Sequence, residues 1–250
     1  MRELSIFRRH GKQYIPDLRS VELTPLFRGR PVISSEISEE EALKISSVCP
    51  VNAIAASPCT IDIGKCVFCN ECVFALPGKI RFTNDYRMVS NNRNGLILKK
   101  GDDEPIHLDE ALIRKVIRSF FRHTLKLRQI SAGGDNSAEM ELNAAGNVNF
   151  DMGRYGIEFV ASPRHADGVV ITGPVTQNMS KALQITYDAI PSPKIIILAG
   201  TDAISGGIFS ESPVLNREFL DKCHVDLYVP GNPPHPLTFI NGLLDMIGHK

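Results

Sequence analysis

The sequence has no excess of charge of either sign. Lysine and arginine together number 28 among 250 residues, and aspartate and glutamate number the same. A balanced chain has no strong field to attract nucleic acid or an anionic membrane, so we expect no nucleic-acid partner. The hydrophobic fraction of 43% is ordinary for a folded soluble protein, and the length is enough for one large or two modest domains.

Long apolar runs are also missing. The best one, residues 194–200, is far shorter than the roughly 18 residues that a transmembrane helix needs. Residues 1–20 contain no apolar core segment of the secretory type. We therefore expect a cytoplasmic protein without a transmembrane segment, for which peripheral docking on a membrane complex stays open. Phosphate-binding loops, nucleophile elbows and dinucleotide fingerprints are absent too.

Cysteine is crowded into one segment. Cys66, Cys69 and Cys72 form C-x2-C-x2-C, and Cys49 precedes Pro50. In bacterial-type ferredoxins such a run supplies three ligands to one cubane, and a distant Cys-Pro supplies the fourth. Soft thiolates are the ligands that iron–sulfur clusters need. The pattern predicts one 4Fe-4S cluster held by these four cysteines.

Two alternatives stay open for the four cysteines: they bind zinc, or they are thiols that only pack. Cys59 lies outside the pattern and is interpreted as a spare thiol. Cys223 is interpreted as a buried, inert thiol.

The ligands of a second ferredoxin cluster are missing together. A two-cluster ferredoxin has a further cysteine four residues after Cys72, where this chain has Leu76 followed by Pro77. Its three upstream cysteines correspond here to Glu39, Ala42 and Ile45. The joint loss predicts a single cluster in this part of the chain.

The first half divides into three parts by composition. We expect an extended arm over residues 1–35, packed on a partner or on the body, and a small ferredoxin-like α+β domain with one cluster over residues 36–90. An acidic helix should open that domain, with Ser34 or Ser35 as its N-cap. Residues 91–127 are interpreted as a linker and an amphipathic helix.

The amphipathic helix is predicted from Leu108 to Leu127 because apolar residues recur there at helical spacing. Its other face carries four cations: Arg114, Lys115, Arg118 and Arg122. This face is either solvated or a dock for an acidic partner or lipid headgroups.

Residues 128–250 are typical of an α/β domain. Short apolar runs alternate with helical stretches such as Gln177–Ala189, which predicts a parallel sheet covered on both faces. Ligands of such sheets bind beyond the carboxyl ends of the strands. Those ends are residues 131–139, 172–176, 199–203 and 230–236.

Three segments in this half resemble a known family. Residues 153–176, 190–210 and 225–244 resemble the small subunit shared by complex I (its 20 kDa-type or B subunit) and group 4 membrane-bound nickel-iron hydrogenases. Residues 29–33 and 64–88 are similar to the ferredoxin domain fused to such subunits. The resemblance implies a flavodoxin-like parallel-sheet domain, a large-subunit partner and an electron-transfer role.

The resemblance also implies positions for the family's own 4Fe-4S cluster. Its ligand positions correspond here to Asp135, Ala138, Asp202 and Asn232. Hard oxygen donors suit an iron–sulfur core poorly, so we expect no second cluster. Magnesium or manganese held by the two aspartates, Asn232 and His235 stays open.

Two functions follow as hypotheses. The first is an electron-transfer subunit of a membrane-associated complex I-like or hydrogenase-like oxidoreductase, with no complete active site of its own and no catalytic residue. The second is a degenerate scaffold or assembly subunit without hydrogen or quinone chemistry. The first meets a difficulty, because electrons leaving the remaining cluster would have to cross the whole second domain. Arg164 and His165 lie near the cluster face in the family and are either partner contacts or structural braces.

Overall fold

The structure is a computed structural model that describes residue 5, residue 11 and residues 13–249. Part of the predicted arm, residues 1–4, 6–10 and 12, lies outside the described residues, as does residue 250. Helices and strands are numbered below in chain order within the described part. In that part, no helix has both the length and the apolar character that crossing a bilayer requires.

A parallel sheet of five strands forms the second half. The strands are β6 (Leu125–Ser131), β7 (Ile157–Phe159), β8 (Gly168–Thr172), β9 (Ile195–Ala199) and β10 (Leu227–Val229). Their order across the sheet is β10-β9-β8-β6-β7, and every pair is parallel. The predicted α/β class is therefore confirmed. Strand β7 was not predicted, because this edge strand has three residues with one buried position and is too short to show a pattern.

Helices cover both faces of this sheet. One face packs against α3 (Lys115–Phe120), α4 (Ser137–Ala145) and α8 (Pro236–Ile247). The other face packs against α5 (Gln177–Asp188), α6 (Thr201–Ser205) and α7 (Glu218–Lys222). All residues of β8 and β9 are buried for this reason, as their continuous apolar sequence predicts.

A small α+β unit precedes the sheet. It contains β1 (Pro31–Ile33), α1 (Glu39–Ser47), β2 (Ile54–Ala55), β3 (Thr60–Asp62), α2 (Glu71–Ala75), β4 (Ile80–Phe82) and β5 (Ile97–Lys99). Strand β1 pairs antiparallel with β4, and β2, β3 and β5 form an antiparallel sheet. Ile45 and Ile61 of this unit belong to the same buried cluster as Val169 and Leu198 of the large sheet. The two units therefore share one hydrophobic core.

Helix α1 forms as predicted, but its cap is a different serine. Ser38 is the N-cap: its Oγ accepts a hydrogen bond from the Glu41 backbone N (3.2 Å), and its own backbone N donates to Glu41 Oε2 (2.9 Å). The prediction of Ser34 or Ser35 was wrong because only Ser38 has a glutamate three residues later at the start of the helix, which completes a capping box.

The predicted helix from Leu108 to Leu127 is wrong over most of its length. Only Lys115–Phe120 is α-helical, and Leu125 and Leu127 lie in β6. Two tertiary interactions override the periodicity. From Leu125 onward, the chain pairs with β7 and β8 as strand β6. At Arg114, the backbone is extended and is held by an ion pair to Asp226.

The described part of the arm packs on the body, which was one of the two options that its sequence left open. Leu18 is fully buried. Its carbonyl oxygen accepts hydrogen bonds from the Tyr86 hydroxyl (3.0 Å) and from Asn241 Nδ2 (2.9 Å). Arg154 Nη2 donates to the carbonyl of Ile15 (2.7 Å). These contacts fix the arm on the body, in part against α8.

The ion pair between Arg114 and Asp226 should contribute strongly to stability. The Asp226 side chain is 2% exposed and accepts from Arg114 Nε (2.6 Å), Arg114 Nη2 (2.8 Å) and the Ile196 backbone N (2.9 Å). In Arg114→Ala this buried carboxylate loses its cation, and we expect the free energy of unfolding, measured in urea, to fall by about 3 kcal/mol.

Arg118→Ala is the matched control for that change. It also removes an arginine that forms a bidentate ion pair, but the partner Glu110 is 69% exposed. We expect a loss of about 0–1 kcal/mol. Equal losses in the two variants would contradict the importance of burial at Asp226.

Candidate metal centre

The four cysteines of the predicted cluster line one cavity. Cys49 follows α1, Cys66 and Cys69 lie in the loop between β3 and α2, and Cys72 lies on α2. The other walls are mostly apolar: Val51, Ala53, Ile54, Ile61, Val67 and Phe82. The structure thus gathers the four residues that the sequence singles out, and their role as ligands stays a prediction.

The loop backbone points amide groups at two of the sulfurs. Phe68 and Asn70 have φ values of +53° and +76°, so the chain turns tightly between the cysteines. The Phe68 backbone N donates to Cys66 Sγ (3.3 Å), and the Ala53 backbone N donates to Cys49 Sγ (3.2 Å). Such bonds stabilise negative charge on sulfur and tune the potential of iron–sulfur clusters.

Two of these thiols, Cys66 and Cys72, do not ionise readily on their own. Burial raises the pKa of Cys66 to about 12, although the amide of Phe68 opposes the shift. Burial raises the pKa of Cys72 to about 11, and the neighbouring thiols Cys69 and Cys49 raise it further. Binding as thiolates therefore requires a metal cation that draws the protons off.

The donor set fits a 4Fe-4S cluster by its chemistry: four soft thiols, apolar walls and two amide–sulfur bonds. A single metal ion is a different case: in the part of the chain that the structure describes, no group of three or more His, Cys, Asp or Glu side chains is arranged to hold one. Four thiols also suit zinc, so that alternative stays open.

A second cavity lies at the carboxyl edge of the large sheet. It is lined by Asp135 and Ala138, which follow β6, by Asp202 after β9, and by Asn232 after β10. These are the four positions at which the resemblance to the small-subunit family implies cluster ligands. The cavity measures about 10 Å³, room for about one water molecule.

The two aspartates at this edge have opposite electrostatic environments. Asp135 Oδ1 accepts from the Ser137 backbone N (2.9 Å) and Oγ (2.6 Å), which lowers the pKa of the carboxyl. Burial raises the pKa of Asp202, and the negative charges of Asp135 and Glu139 raise it further. Glu139 itself accepts a hydrogen bond from the Thr172 hydroxyl (2.6 Å).

His235 serves as a helix cap and not as part of this edge. Its Nδ1 accepts from the Leu237 backbone N (3.1 Å) at the start of α8. Its ring contacts Phe27 and Phe150 edge-on. Burial lowers the pKa of the imidazole. His235 is absent from the lining of the aspartate cavity.

The two cavities adjoin each other. Thr201, which lines the cavity at the sheet edge, donates a hydrogen bond from its Oγ1 to the carbonyl oxygen of Cys66 (2.9 Å). Cys66 in turn lines the thiol cavity. The thiols therefore lie beside this edge, because the small unit packs directly on the carboxyl ends of the strands.

Two residues beside the cysteine loop, Asp62 and Arg93, were not predicted from the sequence. Asp62, at the end of β3, forms a bidentate ion pair with Arg93 (2.9 and 2.7 Å) and accepts from the Gly64 backbone N (2.9 Å). These residues stand far apart in sequence and match no motif, so only the fold reveals them. Arg164 and His165 are exposed on the turn after β7.

Comparison with known proteins identifies the family. Residues 136–246 match the model of the family described as NADH ubiquinone oxidoreductase, 20 Kd subunit. The chain is 40% identical over 169 residues to the NADH-quinone oxidoreductase B subunit of Clostridium beijerinckii, a match that covers 67% of this chain and 91% of the relative. The chain belongs to the 20 kDa subunit family of NADH ubiquinone oxidoreductase. The resemblance drawn from the sequence is confirmed.

A hydrogenase subunit and a chain of an archaeal respiratory complex are also similar to this chain. The probable membrane-bound hydrogenase subunit mbhJ of Pyrococcus furiosus is 36% identical over 115 residues, which cover 46% of this chain and 69% of the relative. A solved chain of an archaeal respiratory complex, the membrane-bound sulfane sulfur reductase, aligns with a TM-score of 0.46 and 26% identity over 53% of this chain and 73% of that one.

The environments of the two aspartates predict opposite pH effects. A raised carboxyl pKa means that the folded chain binds the proton more tightly than the unfolded chain, so ionised Asp202 lowers stability at pH 7. We expect Asp202→Asn to raise the free energy of unfolding at pH 7, and the gain should vanish as the pH falls towards 3.8, the ordinary value for Asp.

Asp135→Asn is the control with the opposite sign. A carboxyl whose pKa is lowered on folding adds stability at pH values above the pKa of the unfolded chain. This stability is lost as the pH falls through the pKa of the folded chain. We expect this variant to be less stable than the wild type at pH 7 in chemical denaturation. A gain in both variants, or in neither, would contradict the assigned environments.

Proposed function

We propose that this family member is an iron–sulfur electron-transfer subunit of a membrane-associated, complex I-like or hydrogenase-like oxidoreductase. It carries one 4Fe-4S cluster on Cys49, Cys66, Cys69 and Cys72 and lacks the cluster at the family's own site. The proposal rests above all on one observation, the convergence of these four thiols on a single cavity beside the sheet edge. The names of the relatives, a NADH-quinone oxidoreductase B subunit and a membrane-bound hydrogenase subunit, support the type of complex.

Each part of the small unit would have a definite task. The thiolates would hold the cluster, and the amides of Phe68 and Ala53 would stabilise charge on two of the sulfurs. The rings of Phe68 and Phe82, 5.8 Å apart between centroids, would exclude water from the loop. When bound, the cluster supplies one-electron transfer. In this proposal the ferredoxin-like domain drawn from the sequence, residues 36–90, also takes in β1 and β5, which pair with its strands. The subunit lies on the cytoplasmic side of the membrane through its partners.

The adjoining cavities remove the main difficulty of an electron-transfer role. The backbone of Cys66 reaches the sheet edge through one hydrogen bond to Thr201, so the route does not have to cross a domain. The alternative, a scaffold or assembly subunit without hydrogen or quinone chemistry, is supported by Asp202 and the other substituted positions at that edge.

We further propose that the carboxyl edge contacts the large-subunit partner. Four large apolar side chains are exposed in the segments that follow β6 and β9. They are Met140 (65% exposed), Ile208 (63%), Phe209 (43%) and Val214 (54%). Exposed apolar side chains that cluster on one side of a molecule mark interaction surfaces. Arg164 and His165, also exposed after β7, would add charge at the same edge.

Iron and acid-labile sulfide analysis tests the cluster. After anaerobic reconstitution we expect about four irons per chain and an EPR signal on dithionite reduction, as for one cubane. Cys69→Ala should lose both. Cys59→Ala is the matched control, because Cys59 is a buried cysteine outside the cavity, and it should keep them. Zinc in place of iron, or about eight irons per chain, would contradict the proposal.

Retention in the membrane complex tests the partner surface. Ile208→Asp places a charge among the exposed apolar side chains at the sheet edge. We expect at least a threefold loss of tagged chain from the membrane fraction of its native host, since a buried unpaired charge weakens binding. Ile185→Asp is the control, because Ile185 is similarly exposed (61%) but lies on α5. Equal retention of both variants would argue against this surface.

A further inference from the structure

Cys66 is hydrogen-bonded at its backbone N, its Sγ and its carbonyl oxygen. Its backbone N donates to the carbonyl of Asp62 (3.0 Å), and its Sγ accepts from the Phe68 backbone N (3.3 Å). Both partners are close to Cys66 in the sequence. Its carbonyl oxygen accepts from Thr201 Oγ1, 135 residues away in the sequence (2.9 Å). This last bond is the one that ties the ligand loop to the large sheet.

The Thr201 hydroxyl is placed to donate this bond. Thr201 Oγ1 lies within hydrogen-bond distance of two carbonyls: Cys66 at 2.9 Å and Gly231 at 3.2 Å. The contact with Cys66 is the shorter of the two, and it is the one that links the two units. Thr201 is fully buried, so water does not replace it easily.

The helix that carries Thr201 is itself held rigidly. Thr201 is the first residue of α6, and the Arg217 guanidinium donates to the carbonyls of Ala203 (2.8 Å) and Ile204 (3.0 Å) in that helix. Ile204 also packs on the ligand loop at Gly64, where a Cβ would lie 2.9 Å from Ile204 Cγ2. The loop and α6 thus fit closely enough for α6 to position the loop.

We propose that Thr201 is a positioning residue for the N-terminal cluster, and that its buried hydroxyl fixes the Cys66 ligand against the sheet edge and so sets the lifetime and the reduction potential of the cluster. This inference rests on the proposed function. In this proposal the turn after β9 positions a ligand of the N-terminal cluster through Thr201. The next residue, Asp202, stands where the family's own cluster would have a ligand.

The decisive variant is Thr201→Val, which keeps the shape and removes the donor. A buried carbonyl left without its donor destabilises the loop that holds Cys66, and the local dipole that favours the reduced, more negative cluster is lost. We expect iron release to an anaerobic chelator to accelerate about tenfold. We also expect the midpoint potential in an EPR-monitored titration to become more negative.

Two further variants isolate the hydroxyl. Thr201→Ser retains a donor and should restore the wild-type potential and a release rate within about threefold of the wild type. Thr238→Val is the matched control: Thr238 is also fully buried, but its hydroxyl has no hydrogen-bond partner among the described residues. It should leave both readouts unchanged. Circular dichroism of each variant checks that it is folded.

The outcomes separate this inference from the proposed function. A wild-type protein that is colourless after reconstitution would overturn the proposed function, and the inference with it. A wild-type cluster whose release rate and potential are the same in Thr201→Val and Thr238→Val would overturn the inference alone. If Thr201→Val released iron faster without any change of potential, Thr201 would have only a structural role, and this result would also count against the inference.

Discussion

The whole arrangement depends on the shared direction of the five parallel strands. Because all of them run the same way, their carboxyl ends and the loops that follow meet at one edge. The aspartate cavity is formed there, and the small α+β unit packs against the same edge through Thr201 and Ile204. Both candidate sites therefore lie beside one turn in space, the turn between β9 and α6.

The strength of this contact comes from apolar burial, and its geometry comes from a polar bond. Ile45 and Ile61 of the small unit are buried in the same cluster as Val169 and Leu198 of the sheet, and burying such side chains is the main source of stability. Apolar contact alone does not specify orientation. The Thr201–Cys66 hydrogen bond supplies that orientation, since hydrogen bonds are directional.

Much of this could be predicted from the sequence, wherever a pattern is local. Continuous apolar runs predict β8 and β9, and the C-x2-C-x2-C spacing with a distant Cys-Pro selects the four thiols that line one cavity. The predictions failed where tertiary contacts override local preference. Leu125 and Leu127 fit a helical stripe but pair in β6. The bond from Thr201 to Cys66 joins residues 135 positions apart and left no signal in one sequence.

The common hydrophobic core has a consequence for how such a chain can change over time. Val169 and Ile45 contact the same buried cluster, so a substitution in either half alters the packing of the other. A domain joined by a flexible linker can be altered without effect on the packing of its neighbour. In this chain, a substitution on one side of the shared core is expected to require a compensating change on the other.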